Sequence, residues 1–156
     1  MSIGFTNESV HRLDAKHRVF VPKRFQTLLA TDGSEELTCV LTRGQEGCVY
    51  FFSREGYDEF KAHLKSKPFG DRNKRAVNRK IFSKTALVQL DGSGRVLIPD
   101  ALVRYAGLDK EVVMVGVDDH AEIWDRTAWE RYENETEEIF QRLDEVMEPR
   151  TSPPGV

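Results

Sequence analysis

The sequence contains two copies of one short segment, and this internal repeat constrains the fold more than any other feature. Residues 13–22 and 90–99 align without a gap, 77 positions apart. Both segments carry an aspartate and an arginine four positions apart, then a short apolar run and a proline. In a chain of 156 residues, each half alone would be only marginally stable. The two halves are therefore expected to share one core.

The duplication continues beyond this segment. Residues 53–60 align with residues 125–132 at a smaller offset of 72 positions, and both segments follow an apolar stretch typical of a strand. The first half therefore has about five extra residues. They fit the polar run 42–47, where a hairpin loop can lengthen at small entropic cost.

Each half predicts the same order of secondary structure. A strand ends at the aspartate, the chain turns over three residues, and an apolar strand follows, which together predict a β-hairpin. The proline after it suits the first position of a helix, because the missing N–H costs nothing there. The further predictions are helices over 23–30 and 100–106, strands over 37–41, 49–52, 112–117 and 121–124, and a closing helix in each half capped by Ser53 or Asp125.

These elements predict an α+β fold, in which two β-rich units form one domain with pseudo-twofold symmetry, short flanking helices and a longer C-terminal helix. The predicted divisions are residues 5–67 for the first unit, 68–84 for a basic connecting segment with a short helix, 85–132 for the second unit, and 133–156 for the C-terminal helix and a Pro-rich tail. Within the connecting segment, Pro68-Phe69-Gly70 predicts a break in the chain direction.

Charge is distributed unevenly along the chain. The net charge is −3, but residues 109–148 hold fourteen acids and four bases, whereas residues 1–108 hold eighteen bases and twelve acids. Residues 61–84 carry nine Lys or Arg and one acid. Local field, and not total charge, attracts a polyanion. A basic amphipathic helix is predicted over 71–82, with a candidate nucleic-acid contact at Arg72, Arg75, Arg79 and Lys80; a solvated helix face is the alternative.

The repeated Asp-x-x-x-Arg pattern carries the chemistry. A turn brings both side chains to one end, where the carboxylate can hold the guanidinium and direct its free N–H groups outward. Such a group can contact phosphates or guanine. An ion pair that only fixes the turn is the alternative, but the repetition beside a basic segment favours binding. The candidate DNA contacts are Lys16, His17, Arg18, Ser93, Gly94 and Arg95, with Asp14 and Asp91 orienting the arginines.

Several other classes are disfavoured by the sequence. A carboxylate dyad from the two halves is the main enzymatic alternative, but an arginine four residues on would keep each carboxylate ionised. The histidines and cysteines show no metal-ligand spacing, and no cofactor or small-molecule substrate is evident. No apolar run nears 18 residues and no secretion signal is present, so a cytoplasmic protein with buried thiols is expected. Cys39 and Cys48 could still face each other across a hairpin.

The final helix has its own pattern. Apolar and small residues recur at three- and four-residue steps between acidic residues, at Tyr132, Thr136, Ile139, Leu143 and Val146, before Pro149 ends the helix. An apolar stripe needs a neighbour. Packing against the same domain and packing against another copy of the chain both remain open.

A linear series of motifs resembles the MraZ family of bacterial proteins over roughly residues 5–145. The most specific segments are 13–22, 42–48, 79–80, 90–99, 105–108 and 116–129. The resemblance implies two tandem AbrB-like swapped-hairpin units. It also implies a nucleoid-associated transcriptional regulator that binds DNA, assembles as a ring of identical subunits, and contacts short G-rich repeats upstream of the division and cell-wall gene cluster.

Two departures and two alternatives accompany the resemblance. His17 and Asn7 stand where the family usually has glycine, and both residue types tolerate a positive φ better than most. An antitoxin-type partner binder is one alternative, because related AbrB-type folds pair with toxins. A scaffold, in which the hairpins serve only assembly, is the other.

Overall fold

The computed structural model describes residues 2–30, 36–66 and 71–148. The predicted break at 68–70 and the Pro-rich tail lie outside these residues. The strands are β1 (Glu8–Arg12), β2 (Arg18–Phe20), β3 (Thr38–Arg43), β4 (Val49–Phe52), β5 (Ala86–Gln89), β6 (Arg95–Leu97), β7 (Glu111–Gly116) and β8 (Ala121–Asp125). The helices are α1 (Lys23–Leu29), α2 (Arg54–Lys65), α3 (Arg72–Phe82), α4 (Asp100–Ala106), α5 (Arg126–Gln141) and α6 (Leu143–Met147).

The strands form one six-stranded antiparallel sheet and one two-stranded sheet. The order in the larger sheet is β1-β7-β8-β4-β3-β5, and the smaller sheet pairs β2 with β6. Strand β1 of the first half therefore lies beside β7 of the second half, while β5 of the second half lies beside β3 of the first. The predicted α+β class and the shared core are confirmed.

The predicted β-hairpins are present only at their turns. Asp14 N–H donates to the Arg18 carbonyl at 3.0 Å, and Asp91 N–H donates to the Arg95 carbonyl at 2.8 Å. Beyond these bonds the strands separate, since β1 pairs with β7 and β2 pairs with β6. The prediction of continuous hairpins is therefore wrong. Pairing β2 with β6 sets Val19 opposite Val96, and both side chains are fully buried. This burial of apolar surface stabilises the pairing between halves, and the local sequence pattern that predicts a hairpin does not reveal it.

Two short helices cover this shared core. Helices α1 and α4 begin as predicted after Pro22 and Pro99, although each proline is the residue before the helix and not its first residue. Large apolar side chains from both halves meet beneath them and are less than 2% exposed: Phe25, Phe51, Leu41, Ile98, Leu102, Met114 and Ile123. Burying side chains of this size stabilises the fold by about 2 kcal/mol each.

Helices α2 and α3 begin at residues that cap them. The Ser53 hydroxyl accepts a bond from Gly56 N–H at 3.0 Å, as predicted, and the Asp71 carboxylate accepts one from Asn73 N–H at 2.9 Å. Such caps satisfy backbone groups that a helix end leaves without a partner. The predicted basic helix is therefore confirmed as α3.

A buried hydroxyl holds the end of α3 against the sheet. Thr42 in β3 is fully buried, and its Oγ1 donates to the Ile81 carbonyl at 3.2 Å and contacts Thr85 Oγ1 at 2.9 Å. We expect Thr42→Val to lower the free energy of unfolding by about 1 kcal/mol, because it removes these bonds without changing the side-chain shape. Denaturant titration measures this change. Unchanged stability of Thr42→Val would contradict the role of the hydrogen bonds.

The two cysteines are confirmed as buried thiols. Cys39 lies opposite Val88 of β5, whereas Cys48 follows the 3₁₀ turn Gln45–Gly47 at the other end of β3, so the two do not face each other. Burial raises the pKa of both thiols. Neither thiol is poised for thiolate chemistry.

His120 lies at the turn between β7 and β8, where its largely buried ring contacts the largely buried Glu122 and the exposed Asp119. Its ring bonds to Asp119 at 2.6 Å and to Glu122 at 3.1 Å, and Glu122 also accepts from Trp124 Nε1 at 2.9 Å. Burial opposes protonation, but the bonds to Glu122 and Asp119 outweigh it and raise the pKa of His120.

Because the pKa of His120 is raised in the folded state, protonated His120 stabilises the fold at any pH below its unfolded-state pKa. This contribution to the free energy of unfolding is lost as the pH rises through the folded-state pKa. We therefore expect the unfolding temperature to fall as the pH rises from about 6.5 into the range where the folded-state histidine loses its proton. Calorimetry across that range measures the slope. Glu122→Gln keeps an acceptor for Trp124 and should flatten the slope; an unchanged slope in this variant would contradict the assignment.

The described C-terminal region differs from the single predicted helix. The chain divides into two compact units after Arg126. Helix α5 ends at Gln141 and α6 starts at Leu143, because Arg142 has non-helical φ and ψ of −107° and 36°. Among the residues that the structure describes, we find no helical segment with the length and apolar character needed to span a bilayer.

Candidate nucleic-acid interface

The small sheet of β2 and β6 brings the two Asp-x-x-x-Arg turns together. Phe20 lies opposite Arg95, and Arg18 lies opposite Leu97. The ladder is extended on both sides, since Val21 N–H donates to the Gly94 carbonyl and Ile98 N–H donates to the His17 carbonyl, each at 2.9 Å. We call residues 14–20 and 91–97 the head. The pairing of strands from different halves makes the two turns neighbours in one site.

Each aspartate organises its own turn through backbone bonds. Asp14 Oδ1 accepts from Lys16 N–H at 2.9 Å and from Arg18 N–H at 2.8 Å. In the second turn, Asp91 Oδ1 accepts from the N–H groups of Ser93 and Arg95 at 2.9 and 3.0 Å. A short acceptor side chain that bonds its own backbone two and four residues on is what aspartate supplies in a turn. This explains why aspartate stands at this position in both halves.

The residue before each arginine has a positive φ. Gly94 has φ of 79°, and a Cβ added there would lie 2.5 Å from Gln26 Nε2. The matching residue His17 has φ of 65°, and its Nδ1 lies 3.0 Å from Asp100 Oδ1 at the start of α4. The expectation that histidine adopts this conformation is confirmed, as is the positive φ of Asn7 at 69°. The two turns therefore share a backbone shape but present different side chains.

The two aspartates and the two arginines of the head form one cluster. Arg18 Nε donates to Asp14 Oδ2 at 2.8 Å, and Arg95 Nε donates to Asp91 Oδ2 at 3.1 Å. The sequence did not predict a third contact, in which Arg95 Nη1 lies 3.7 Å from Asp14 Oδ2. Asp14 therefore contacts both guanidinium groups, whereas Asp91 contacts the one in its own turn. The equal spacing within the two repeats is the only sequence signal that relates one turn to the other.

The cluster is partly open to solvent. The exposed fractions of the side chains are 33% for Arg18, 35% for Arg95, 32% for Asp14 and 37% for Asp91. Backbone hydrogen bonds, opposed by desolvation and aided by the arginines, lower the pKa of both carboxyl groups. Both aspartates therefore stay ionised. A proton-sharing dyad needs the reverse, because one carboxyl must then bind a proton.

The remaining head residues lie at the turns as expected. Lys16 and Ser93 occupy matching positions, and each donates its backbone N–H to the aspartate of its own turn. Both residues are exposed at the end of the small sheet. Lys16 adds a positive charge beside Arg18. Gly92 and Gly94 carry no side chains, so the backbone of the second turn is open to close approach.

The basic residues of α3 lie away from the head. Arg72 and Arg79 are exposed on α3, whereas Lys80 lines a groove beside Tyr105. Strand β5 begins after α3 and leads to the Asp91 turn at its other end. An extended chain from residue 85 to residue 91 covers about 20 Å. The structure thus groups the head residues in one cluster, whereas Arg72, Arg75, Arg79 and Lys80 all lie on α3, outside the head; we call these four residues the patch on α3.

Fold and site together define a protein of two tandem α+β repeats with a shared core, whose repeated turns present two carboxylate-braced arginines side by side. The family model described as "MraZ protein, putative antitoxin-like" matches twice, over residues 5–80 and 81–150. The chain belongs to the MraZ family.

Curated relatives agree with this assignment over nearly the whole chain. A protein of Acetivibrio thermocellus named Transcriptional regulator MraZ is 36% identical over 143 residues, which is 92% of this chain and 96% of the relative. Proteins of the same name from Moorella thermoacetica and Lactiplantibacillus plantarum are each 38% identical over 143 residues, covering 92% of this chain and 96% and 97% of the relatives. These relatives are named as transcriptional regulators.

Proposed function

We propose that this protein is a DNA-binding transcriptional regulator and that the head is its DNA-contacting surface. The observation that carries the proposal is the cluster in which Asp14 and Asp91 hold Arg18 and Arg95 side by side and partly exposed. The names of the relatives support the same function. The protein acts by binding and not by catalysis.

The chemistry of the head suits duplex DNA. In each turn an aspartate takes the Nε–H of the arginine, so the terminal N–H groups can reach phosphate oxygens or the acceptor edge of guanine. Lys16 and His17 in the first turn, and Ser93 and Gly94 in the second, lie beside these groups and complete the contact. The two turns differ in side chains, so one head offers two unequal contacts to the DNA.

We further propose that several copies act together. The family resemblance implies a ring of identical subunits on short repeated elements upstream of the division and cell-wall gene cluster, in the cytoplasm and at the nucleoid. One subunit that neutralises a few phosphates binds weakly, whereas linked subunits on spaced repeats bind tightly through effective concentration. The exchange of strands between the two halves supports AbrB-like swapped-hairpin units as the building block.

The patch on α3 has a secondary role in this proposal. The extended chain of about 20 Å between the end of α3 and the Asp91 turn corresponds to about six base pairs of B-DNA. Arg72, Arg75, Arg79 and Lys80 would therefore contact phosphates beyond the segment held by the head. They contribute to affinity and to its salt dependence, but not to the choice of sequence.

The test is a titration of the intact protein with the duplex that precedes its own gene, followed by fluorescence anisotropy. A duplex of the same composition in shuffled order is the control. We expect tighter binding to the natural duplex and a steep loss of affinity with salt. Equal, weak binding to both duplexes would contradict sequence-specific regulation.

The description of the family as antitoxin-like favours one second candidate function, in which this chain acts as an antitoxin-type protein that binds a partner protein. The same titration separates the two functions. A regulator binds the natural duplex without any partner, whereas an antitoxin-type binder that acts only through its partner does not.

A further inference from the structure

A groove with basic and aromatic walls lies between α2 and α3, away from the head. It has a volume of about 520 Å³, and its walls include Arg43, Tyr50, Phe60, His63, Lys80 and Tyr105. Three of these are aromatic and three can carry positive charge. Acidic residues are absent from the described lining. Such a groove favours an occupant that is both apolar and negatively charged.

The walls of the groove are held by contacts from both halves of the chain. The Tyr105 hydroxyl donates to the Gly44 carbonyl, and the Arg43 guanidinium lies 4.2 Å above the Tyr105 ring. The rings of Tyr50 and Phe60 meet edge to face at 6.2 Å. Val77 on the rim is 46% exposed although it is apolar. The groove is therefore shaped before any occupant binds.

The end of the chain that the structure describes has the complementary character. We call residues 133–148 the acidic tip, which holds seven acids and one arginine. Its apolar side chains are exposed to solvent: Ile139 at 47%, Phe140 at 64%, Leu143 at 44%, Val146 at 55% and Met147 at 71%. Five large apolar side chains exposed together on acidic helices indicate a surface that contacts another molecule.

We propose that the groove of one copy receives the acidic tip of a second copy. The apolar side chains of the tip would cover Phe60, Val77 and their neighbours, while its carboxylates would lie near Lys80 and His63. Groove and tip are different surfaces, so the contact is head-to-tail and each bound copy offers a free groove or a free tip to the next. This inference rests on the proposed assembly of several subunits, and it identifies the groove and the acidic tip as the surfaces through which neighbouring subunits bind.

Charge reversal of each surface tests the contact. One variant carries Lys80→Glu and His63→Glu in the groove, and the other carries Glu138→Lys and Asp144→Lys in the tip. Mass is measured by light scattering without DNA. We expect each variant alone to self-associate at least tenfold more weakly than the parent protein. An equimolar mixture regains the parent mass, because the reversed groove accepts the reversed tip and the two unmodified surfaces still fit.

A matched control carries Arg54→Glu and Lys65→Gln at exposed positions of α2 outside the groove, and it lowers the net charge by three, as the groove variant does when histidine is counted as neutral. It should assemble as the parent does. The inference is overturned if the reversed variants assemble normally, or if each fails alone and the mixture does not recover. DNA binding is measured with the parent protein on a duplex with one element, because Lys80 also belongs to the basic residues of α3 that are proposed to contact phosphates. Failure of the docking contact therefore leaves the proposed function standing.

Discussion

Alanine in place of Arg18 or of Arg95 is expected to weaken binding to the natural duplex about 100-fold. Each replacement removes a guanidinium that can contact guanine or phosphate, and one good contact of this kind is worth about 1–3 kcal/mol. The effect multiplies when several subunits bind DNA together. The slope of log affinity against log salt should also become shallower by about one unit for each phosphate that the variant no longer neutralises. Anisotropy titrations at several salt concentrations measure both effects.

Arg54→Ala is the control for the loss of one positive charge. Arg54 is exposed at the start of α2 and lies outside the head. This variant should keep the parent affinity within about threefold. The two head arginines are about two-thirds buried, so the unfolding temperature of all three variants is measured as well, and DNA affinities are compared only among variants that keep the parent value. Normal DNA binding by Arg18→Ala and Arg95→Ala would remove the basis of the proposal.

The second large effect concerns the aspartates, which contribute unequally. Asp14 Oδ2 contacts the guanidinium groups of both Arg18 and Arg95, whereas Asp91 contacts, among the guanidinium groups of the described residues, that of Arg95. We expect Asp14→Asn to weaken DNA binding about tenfold and Asp91→Asn about threefold, because charge-assisted bonds position the guanidinium groups. Asparagine keeps the acceptor for the backbone N–H groups, so the turn itself should survive. The same titrations measure the difference.

The sign of this effect separates two physical causes. Each replacement removes a negative charge from a surface proposed to meet a polyanion, and long-range attraction alone would make both variants bind more tightly. Weaker binding therefore requires that the carboxylates position the arginines. Tighter binding by Asp14→Asn, or equal losses of affinity in the two variants, would show that the contact at 3.7 Å between Arg95 and Asp14 has no role.

Much of the fold follows from the repeat. Because both halves repeat Asp, Arg, an apolar run and Pro in register, the turns and the helices after Pro22 and Pro99 could be located from sequence alone. The strands were also located within two residues at most ends, since their alternation and apolar runs are local signals. The capping of α2 by Ser53 is a local signal of the same kind.

What the sequence could not supply is the pairing between halves. Local patterns favour a hairpin across each turn, yet Val19 is buried only because β2 pairs with β6. The cross-contact from Arg95 to Asp14 depends on that long-range pairing and has no sequence signal. The interruption of the last helix at Arg142 was missed for a similar reason, because its apolar stripe continues through the break.

The most direct test of the central claim is the reactivity of single arginines toward a dicarbonyl reagent, read by mass spectrometry with and without saturating duplex. The claim is that Arg18 and Arg95 together contact the nucleic acid. Both should be modified in the free protein and protected in the complex, while Arg54 reacts equally in both. Unchanged modification of Arg18 and Arg95 in a saturated complex would contradict it.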